Sequence, residues 1–321
     1  MTIVTGSSAE SGRTGGLARL AADRAVWARI LADVAVVTVT PFTDGLRAVD
    51  HAGLERNLER LIGGGVRLLV TGGNTGEFAA LSDEEIAETV GTHVRLAHGR
   101  ARVIAGVGYR LERAVELGRA AMEAGADGLM VHQPVHPYSS EAGLVDYYAA
   151  LAAALPGVPL ILYVRGPQLT ENGVRRLAGI ESIVGMKMGQ PDPERFAGFV
   201  GAAPELAWVC GVAEAWAVPF WNAGAIGFTS GIANVAPERS LEVLAALKAG
   251  ELAQAESLVD RLRPIEALRA GRGDANNVAV IKAAMDLVGL AGGGLRPPLS
   301  RLEPGDHAEL VRILDALELP S

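Results

Sequence analysis

From residue 34 onward, short apolar and often β-branched runs alternate with longer segments in which apolar residues recur at helical spacing. This alternation is typical of repeated β–α–β units on a parallel sheet. The candidate strands lie at 34–39, 67–72, 102–108, 128–133, 159–164, 182–187, 207–211 and 225–230. Such units can close into a barrel or form an open, doubly wound sheet. Because eight units follow one another, we predict an α/β fold of the (β/α)8 TIM-barrel type.

Helix starts between these runs carry recognisable caps. Asp50 and Thr170 each precede a helical pattern, and Ser82 opens the capping box S-D-E-E. Beyond the eighth run, further helical segments occur at 237–249, 251–270, 276–290 and 305–318. The predicted organisation is an N-terminal extension, partly mobile, at 1–30, a barrel core at 31–235 and a C-terminal helical region at 236–321.

Composition narrows the class of protein. A chain of 321 residues with 49% hydrophobic residues can bury a large single core. The net charge is −8, and the sequence contains no basic cluster of the kind that binds nucleic acid. The Gly/Ser-rich start does not resemble a secretory signal, and no 18-residue apolar run follows, so we expect no membrane span and a cytoplasmic location. Cys210 is the only cysteine, which excludes an intrachain disulfide and a Cys/His zinc cluster.

Two polar residues end neighbouring candidate strands. Lys187 ends the sixth run and Tyr163 lies at the end of the fifth, on the face of a barrel that carries catalytic groups. A lysine in a partly desolvated barrel mouth is more often neutral and can attack a carbonyl, while the tyrosine could relay protons. Alternatively, Lys187 extends to solvent or pairs with a carboxylate, and Tyr163 packs in the core.

Three loops could complete a site. GGNTGEF (72–78) presents backbone N–H groups with Asn74 and Thr75, which suits a carboxylate. The Gly-rich segment 222–238 could let a ligand approach Ser230 and Gly231, or it could reflect tight barrel closure.

The third loop follows the fourth candidate strand. There His136 and Tyr138 could meet the substrate or a neighbouring subunit. His132 and His136 stand four residues apart in a loop broken by proline, which is a poor metal motif. We predict no metal site.

The segments GGNTGEF, LILYVR, IVGMKMG and GAIGFTSGIANVAP occur in this order and spacing in the dihydrodipicolinate synthase and N-acetylneuraminate lyase superfamily, which the chain resembles over roughly residues 33–300. The resemblance implies a class I mechanism: Lys187 condenses with pyruvate or a related 2-oxo acid, and Tyr163 shuttles protons. It also implies that the loop containing Asn74, Thr75 and Gly76 holds the carboxylate. The resemblance implies no metal or organic cofactor. It implies assembly as a homodimer or homotetramer. The tyrosine that the synthase contributes across its dimer interface would fall near His136 or Tyr138.

Departures from the synthase pattern bear on the substrate. Gln168 stands where the synthase carries an arginine, and Asn74, Val164 and Met188 also differ from the usual residues. The position of Arg165, two residues after Tyr163, instead resembles that of an arginine in 5-dehydro-4-deoxyglucarate dehydratases. In those enzymes the arginine faces a distal carboxylate, a task that suits a planar bidentate donor.

We therefore expect a Schiff-base-forming lyase or hydro-lyase that acts on pyruvate or a sugar-derived 2-oxo acid. Two alternatives stay open: a non-catalytic barrel that binds 2-oxo acids, and a true dihydrodipicolinate synthase. A metal-dependent barrel is disfavoured because the strand ends lack a convergent Asp/Glu/His set.

Overall fold

The barrel architecture predicted from the strand pattern is confirmed. The computed structural model describes residues 22–319, in which eight parallel strands form a closed barrel in sequence order. They are β1 (Val34–Val37), β2 (Leu68–Thr71), β3 (Arg102–Val107), β4 (Gly128–His132), β5 (Leu160–Val164), β6 (Ile183–Met188), β7 (Ala207–Cys210) and β8 (Gly227–Ser230). Each strand overlaps its predicted run, and β8 pairs with β1 to close the barrel.

Side chains alternate between the barrel interior and the surrounding helices. Ala35 and Val37 of β1 belong to an inner cluster with Val70 and Ile104, whereas Val36 belongs to the outer cluster that packs against the helices. This period of two follows from strand geometry. It determines which residue at each strand end faces the barrel mouth.

Helices surround the strands and continue beyond the last one. They are α1 (Arg24–Leu31), α2 (His51–Gly63), α3 (Asp83–Ala97), α4 (Leu111–Ala124), α5 (Glu141–Ala154), α6 (Glu171–Ala178), α7 (Pro193–Ala202), α8 (Ala217–Asn222), α9 (Pro237–Ala249), α10 (Leu252–Arg269), α11 (Asn277–Leu287) and α12 (Pro304–Ala316). Three predicted N-caps are observed, at Asp50, Ser82 and Thr170. Ser82 also forms a complete capping box with Glu85.

The C-terminal helices reach the top of the barrel. α10 packs against α9 and α11, and residues of α10 and α11 border the cavity at the barrel mouth. The helical character of this region agrees with the sequence pattern. The boundary at 235/236 stays a prediction.

Helix α1 covers the other end of the barrel. Trp27 is fully buried there, and an added Cβ at Gly128, the first residue of β4, would lie 2.7 Å from its ring. The Arg24 guanidinium donates to the carbonyls of Ala178 and Ile183 at 2.5 and 3.1 Å. The last residues of the predicted extension therefore pack against the barrel because α1 has an apolar face. The rest of that extension, residues 1–21, lies outside the described residues.

Candidate active site

Lys187 projects from β6 into the barrel interior. It pairs in register with Tyr163 of β5, and its side chain is 5% exposed. The Lys187 Nζ lies 4.1 Å from the centroid of the Tyr163 ring and 4.0 Å from the Met130 sulfur. Within residues 22–319 no carboxylate forms an ion pair with this amine. Neither an extended, solvated lysine nor a carboxylate-paired lysine is observed here.

The environment of Lys187 favours the neutral amine. Burial lowers its pKa to about 7, and the positive charge of Arg165 acts in the same direction. A large fraction of the amine is therefore unprotonated near neutral pH. A neutral amine is the form that attacks a carbonyl carbon.

Tyr163 keeps its phenolic proton near neutral pH. Burial raises its pKa, although the Arg165 charge and a hydrogen bond from Asn74 oppose this. The Asn74 amide donates to the phenol oxygen at 3.4 Å, and the His132 ring makes an edge contact with the Tyr163 ring at 5.8 Å. The Tyr163 ring thus lies beside the Lys187 amine and carries a protonated hydroxyl.

The loop after β2 lies against β1. Asn74 and Thr75 border the cavity that contains Lys187. Gly76 does not border it: the Thr40 hydroxyl donates to the Gly76 carbonyl at 2.8 Å, and an added Cβ at Gly76 would lie 2.8 Å from the Thr38 carbonyl oxygen. Glycine is needed here for this close approach.

The next loop residue, Glu77, is a buried acid whose partners were not predicted from the sequence. Glu77 has a left-handed φ of 57° and is 3% exposed. Its carboxylate accepts from the Lys282 amine of α11 at 2.5 Å and from the Arg296 backbone N–H at 3.1 Å. The available signal was an isolated lysine within an apolar helical segment, IKAAM.

Ser230 and Gly231 border the cavity, but the Ser230 side chain faces outward. Ser230 pairs with Val36, an outward residue, and its hydroxyl contacts Ser240 at 3.1 Å and accepts from the Ala233 N–H at 2.8 Å. Strand alternation instead turns Thr229 toward the cavity. Any role of Ser230 in binding therefore falls to its backbone.

Arg165 follows β5 and borders the same cavity, which has a volume of about 720 Å³. Its side chain makes no hydrogen bond or ion pair with any residue from 22 to 319. Helix α10 adds Arg263, Glu266 and Arg269 to the cavity wall. These helical residues lie far along the chain from the strand ends, so no sequence pattern links them to the site.

His136 and Tyr138 do not border this cavity. Their rings lie 5.9 Å apart, and Tyr138 is 88% exposed. A role across a subunit interface stays a prediction. Among the described residues, no group of three or more His, Cys, Asp or Glu side chains is arranged to hold a metal, and no helix is long and apolar enough to cross a membrane.

A buried lysine with a lowered pKa at the mouth of a (β/α)8 barrel is typical of enzymes that attack a carbonyl with an amine. Comparisons with known proteins agree: residues 31–317 match the model of the dihydrodipicolinate synthetase family. The chain is 34% identical over 284 residues to a 4-hydroxy-tetrahydrodipicolinate synthase of Methanoculleus marisnigri, covering 86% of this chain and 96% of the relative. It is also 34% identical over 299 residues to a probable 5-dehydro-4-deoxyglucarate dehydratase of Streptomyces griseus, covering 88% and 92%.

A crystal structure of dihydrodipicolinate synthase from Oceanobacillus iheyensis superimposes with a TM-score of 0.89 at 38% identity, covering 92% of this chain and 99% of the other. The chain belongs to the dihydrodipicolinate synthetase family, as its motifs indicated. It is an enzyme, a class I lyase. The alternative of a non-catalytic barrel therefore loses its support.

Proposed function

We propose that Lys187 forms a Schiff base with pyruvate or a sugar-derived 2-oxo acid. The observation that carries this proposal is the buried amine, whose pKa is lowered to about 7 and which has no carboxylate partner in residues 22–319. The nitrogen attacks the 2-oxo carbon, and the carbonyl oxygen leaves as water. The resulting iminium withdraws electrons from the adjacent carbon, so that a bond there can break or form.

Tyr163 moves the protons in this scheme. Its phenol is protonated near neutrality and lies beside the amine, so it supplies a proton to the departing oxygen and takes it back in the reverse step. Asn74 orients the phenol through its amide. The loop containing Asn74, Thr75 and Gly76 receives the carboxylate next to the 2-oxo group, and Ser230 and Gly231 border the same cavity.

We propose Arg165 as the group that binds a second, distal carboxylate. Its guanidinium borders the cavity and pairs with no acid among the described residues. The similarity to probable 5-dehydro-4-deoxyglucarate dehydratases supports this choice of substrate. A second candidate is condensation of pyruvate with an aldehyde, which is favoured by the similarity to several 4-hydroxy-tetrahydrodipicolinate synthases.

Reductive trapping tests the shared first step. The chain contains only three lysines, Lys187, Lys248 and Lys282, so an adduct is easily located by peptide mass spectrometry. After incubation with pyruvate and borohydride we expect an adduct on Lys187 and none on the exposed Lys248. An unmodified Lys187 with every 2-oxo acid tried would refute the proposal. To separate the two candidates, turnover is then measured with sugar acids and, in parallel, with pyruvate plus an aldehyde.

Self-association is a further proposal, as homodimers or homotetramers. The loop after β4 exposes Val135 completely and Tyr138 by 88%, and both apolar surfaces would be covered by a second copy of the chain. Sedimentation velocity measures the assembly directly. A monomer at micromolar concentration would contradict this proposal.

A further inference from the structure

We propose that Gln133 and Gln168, here called the glutamine pair, position Arg165 and thereby set a preference for substrates with a second carboxylate. This inference rests on the proposed function of Lys187 and Arg165. The two glutamines are positioning residues, because neither borders the cavity. They act through the backbone that carries Arg165.

Gln133 binds the end of β5 through its main chain and its side chain. Its backbone N–H donates to the Tyr163 carbonyl at 3.2 Å. Its side-chain oxygen accepts from the N–H groups of Arg165 and Gly166 at 2.9 and 3.0 Å. The side chain thus continues the pairing of β4 with β5 past the last strand residue, where no backbone partner remains.

Gln168 completes the arrangement. Because the atom of Gln133 that accepts two N–H groups must be its oxygen, its amide nitrogen faces away from them and donates to the Gln168 oxygen at 3.0 Å. The residue between them is a glycine for a steric reason. An added Cβ at Gly166 would lie 1.9 Å from the Gln168 oxygen and 2.4 Å from the Gln133 amide nitrogen.

The far side of the loop is held from α7. The Arg195 guanidinium donates to the carbonyls of Gly166 and Leu169 at 3.2 and 2.8 Å. The glutamine pair therefore binds N–H groups of this loop, and Arg195 binds its carbonyl groups. Together they fix the backbone that carries Arg165.

Fixing the backbone matters because the Arg165 side chain itself has no partner among the described residues. Strand alternation places Tyr163 inside the barrel and Val164 outside, so Arg165 returns to the mouth. When the guanidinium binds a carboxylate, a backbone that is already fixed at Arg165 has less entropy left to lose. Gln168 therefore contributes to recognition indirectly, by holding this loop.

The test compares two 2-oxo acids of equal chain length. 2-Oxoglutarate carries a distal carboxylate and 2-oxopentanoate does not. The measured quantity is the ratio of their half-saturating concentrations in borohydride trapping at Lys187. We expect wild type to prefer 2-oxoglutarate by at least about tenfold, as one charge-assisted contact gives, and Arg165→Ala to abolish this preference.

Gln133→Leu should lower the preference most of the way toward that of Arg165→Ala while trapping with pyruvate continues. Gln168→Leu breaks only the glutamine pair, and Gly166→Ala places a Cβ against both glutamine side chains; each should lower the preference in part. Gln133→Glu keeps the oxygen that accepts both N–H groups. A Gln168 amide rotated by 180° can then donate to the second carboxylate oxygen, so this variant should retain the preference. The same substitution at an exposed glutamine, Gln254→Leu, is the control and should leave the ratio unchanged.

The outcomes separate the two proposals. A wild-type preference that is lost in Arg165→Ala but retained in Gln133→Leu and Gln168→Leu would overturn the role of the glutamine pair alone. Equal affinities in wild type would overturn the role of Arg165 and the inference with it, although Lys187 is trapped. If Gln133→Leu does not fold, Gln168→Leu and Gly166→Ala decide the question.

Discussion

Lys282 and Glu77 form an ion pair with almost no solvent exposure, 1% and 0% for the two side chains, although 205 residues separate them in the chain. The Lys282 amine also donates to the Gly294 carbonyl at 2.6 Å and lies 4.4 Å from the Phe42 ring centroid. This pair joins the C-terminal helical region to the loop that carries Asn74 and Thr75. The two regions are thus linked through buried side chains.

Breaking this pair should destabilise the protein strongly. Lys282→Met leaves the Glu77 carboxylate buried without its cation, which costs about 3–5 kcal/mol. Urea unfolding measures the change, and Lys248→Met on the surface is the matched control. Adding Glu77→Gln to Lys282→Met should recover part of the loss, because the isolated charge is then removed. Equal stability of Lys282→Met and Lys248→Met would contradict this account.

Removing the candidate catalytic amine should stabilise the fold. Burial lowers the Lys187 pKa to about 7, so near pH 7.5 the unfolded chain binds a proton that the folded protein largely lacks. Folding must release this proton, which lowers the free energy of unfolding. Lys187→Met removes this penalty, and we expect a gain of a few kcal/mol that shrinks as the pH approaches 10.5. Thermal unfolding at pH 7.5 and 10 tests it. A loss of stability at both pH values would refute it.

The pH dependence of trapping should report the same amine. The rate with pyruvate should rise with pH and reach its midpoint near 7, where Lys187 loses its proton. Because the Arg165 charge lowers this pKa, Arg165→Ala should move the midpoint to higher pH. Initial rates of adduct formation from pH 5.5 to 9 measure both curves. A midpoint that stays fixed in the variant would show that Arg165 does not influence the amine.

Loss of the phenol should slow the chemistry without removing the lysine. Tyr163→Phe keeps the ring beside Lys187 and removes the proton donor, so we expect adduct formation to slow by about 10²–10⁴-fold. Stopped reactions with pyruvate and borohydride give the rate. Asn74→Ala, which removes only the hydrogen bond to the phenol, should have a smaller effect. A Tyr163→Phe rate equal to wild type would exclude the relay.

Acid should destabilise the protein through a histidine outside the barrel. His93 contacts the Thr38 hydroxyl at 2.8 Å, and its burial lowers its pKa to about 4. Between pH 6.5 and 4 the unfolded chain binds a proton that the folded protein does not, so stability falls as the pH falls through this range. His93→Gln should flatten this part of the urea-unfolding profile, whereas His307→Gln on the surface should not. Parallel profiles for wild type and His93→Gln would contradict this assignment.

The barrel and the main candidate residues followed from local signals. Strands such as β2 and β3 could be located because each is a short apolar run after a capped helix, and eight in series leave few other arrangements. Once strands five and six are neighbours, Tyr163 and Lys187 must lie close together. Local chemistry also explains why the caps at Asp50, Ser82 and Thr170 were predicted correctly.

Side-chain direction was harder to predict than strand position. Ser230 ends β8 as expected, but a shift of one residue along a strand reverses the face, and its hydroxyl lies among the outer helices. The β5–β6 pairing contains a register irregularity near Ile161, which no sequence pattern signals. Such details depend on how neighbouring strands pack.

By itself, the sequence determined the alternation of strands and helices, the caps, and the presence of a lysine and a tyrosine at neighbouring strand ends. Only the tertiary structure decided that Lys187 is buried without a carboxylate among the described residues, that Glu77 meets Lys282, and that Gln133 meets Gln168 beside Arg165. The physical reason is range. Periodicity and capping act over a few residues, whereas desolvation and charge pairing depend on groups that only the closed barrel brings together.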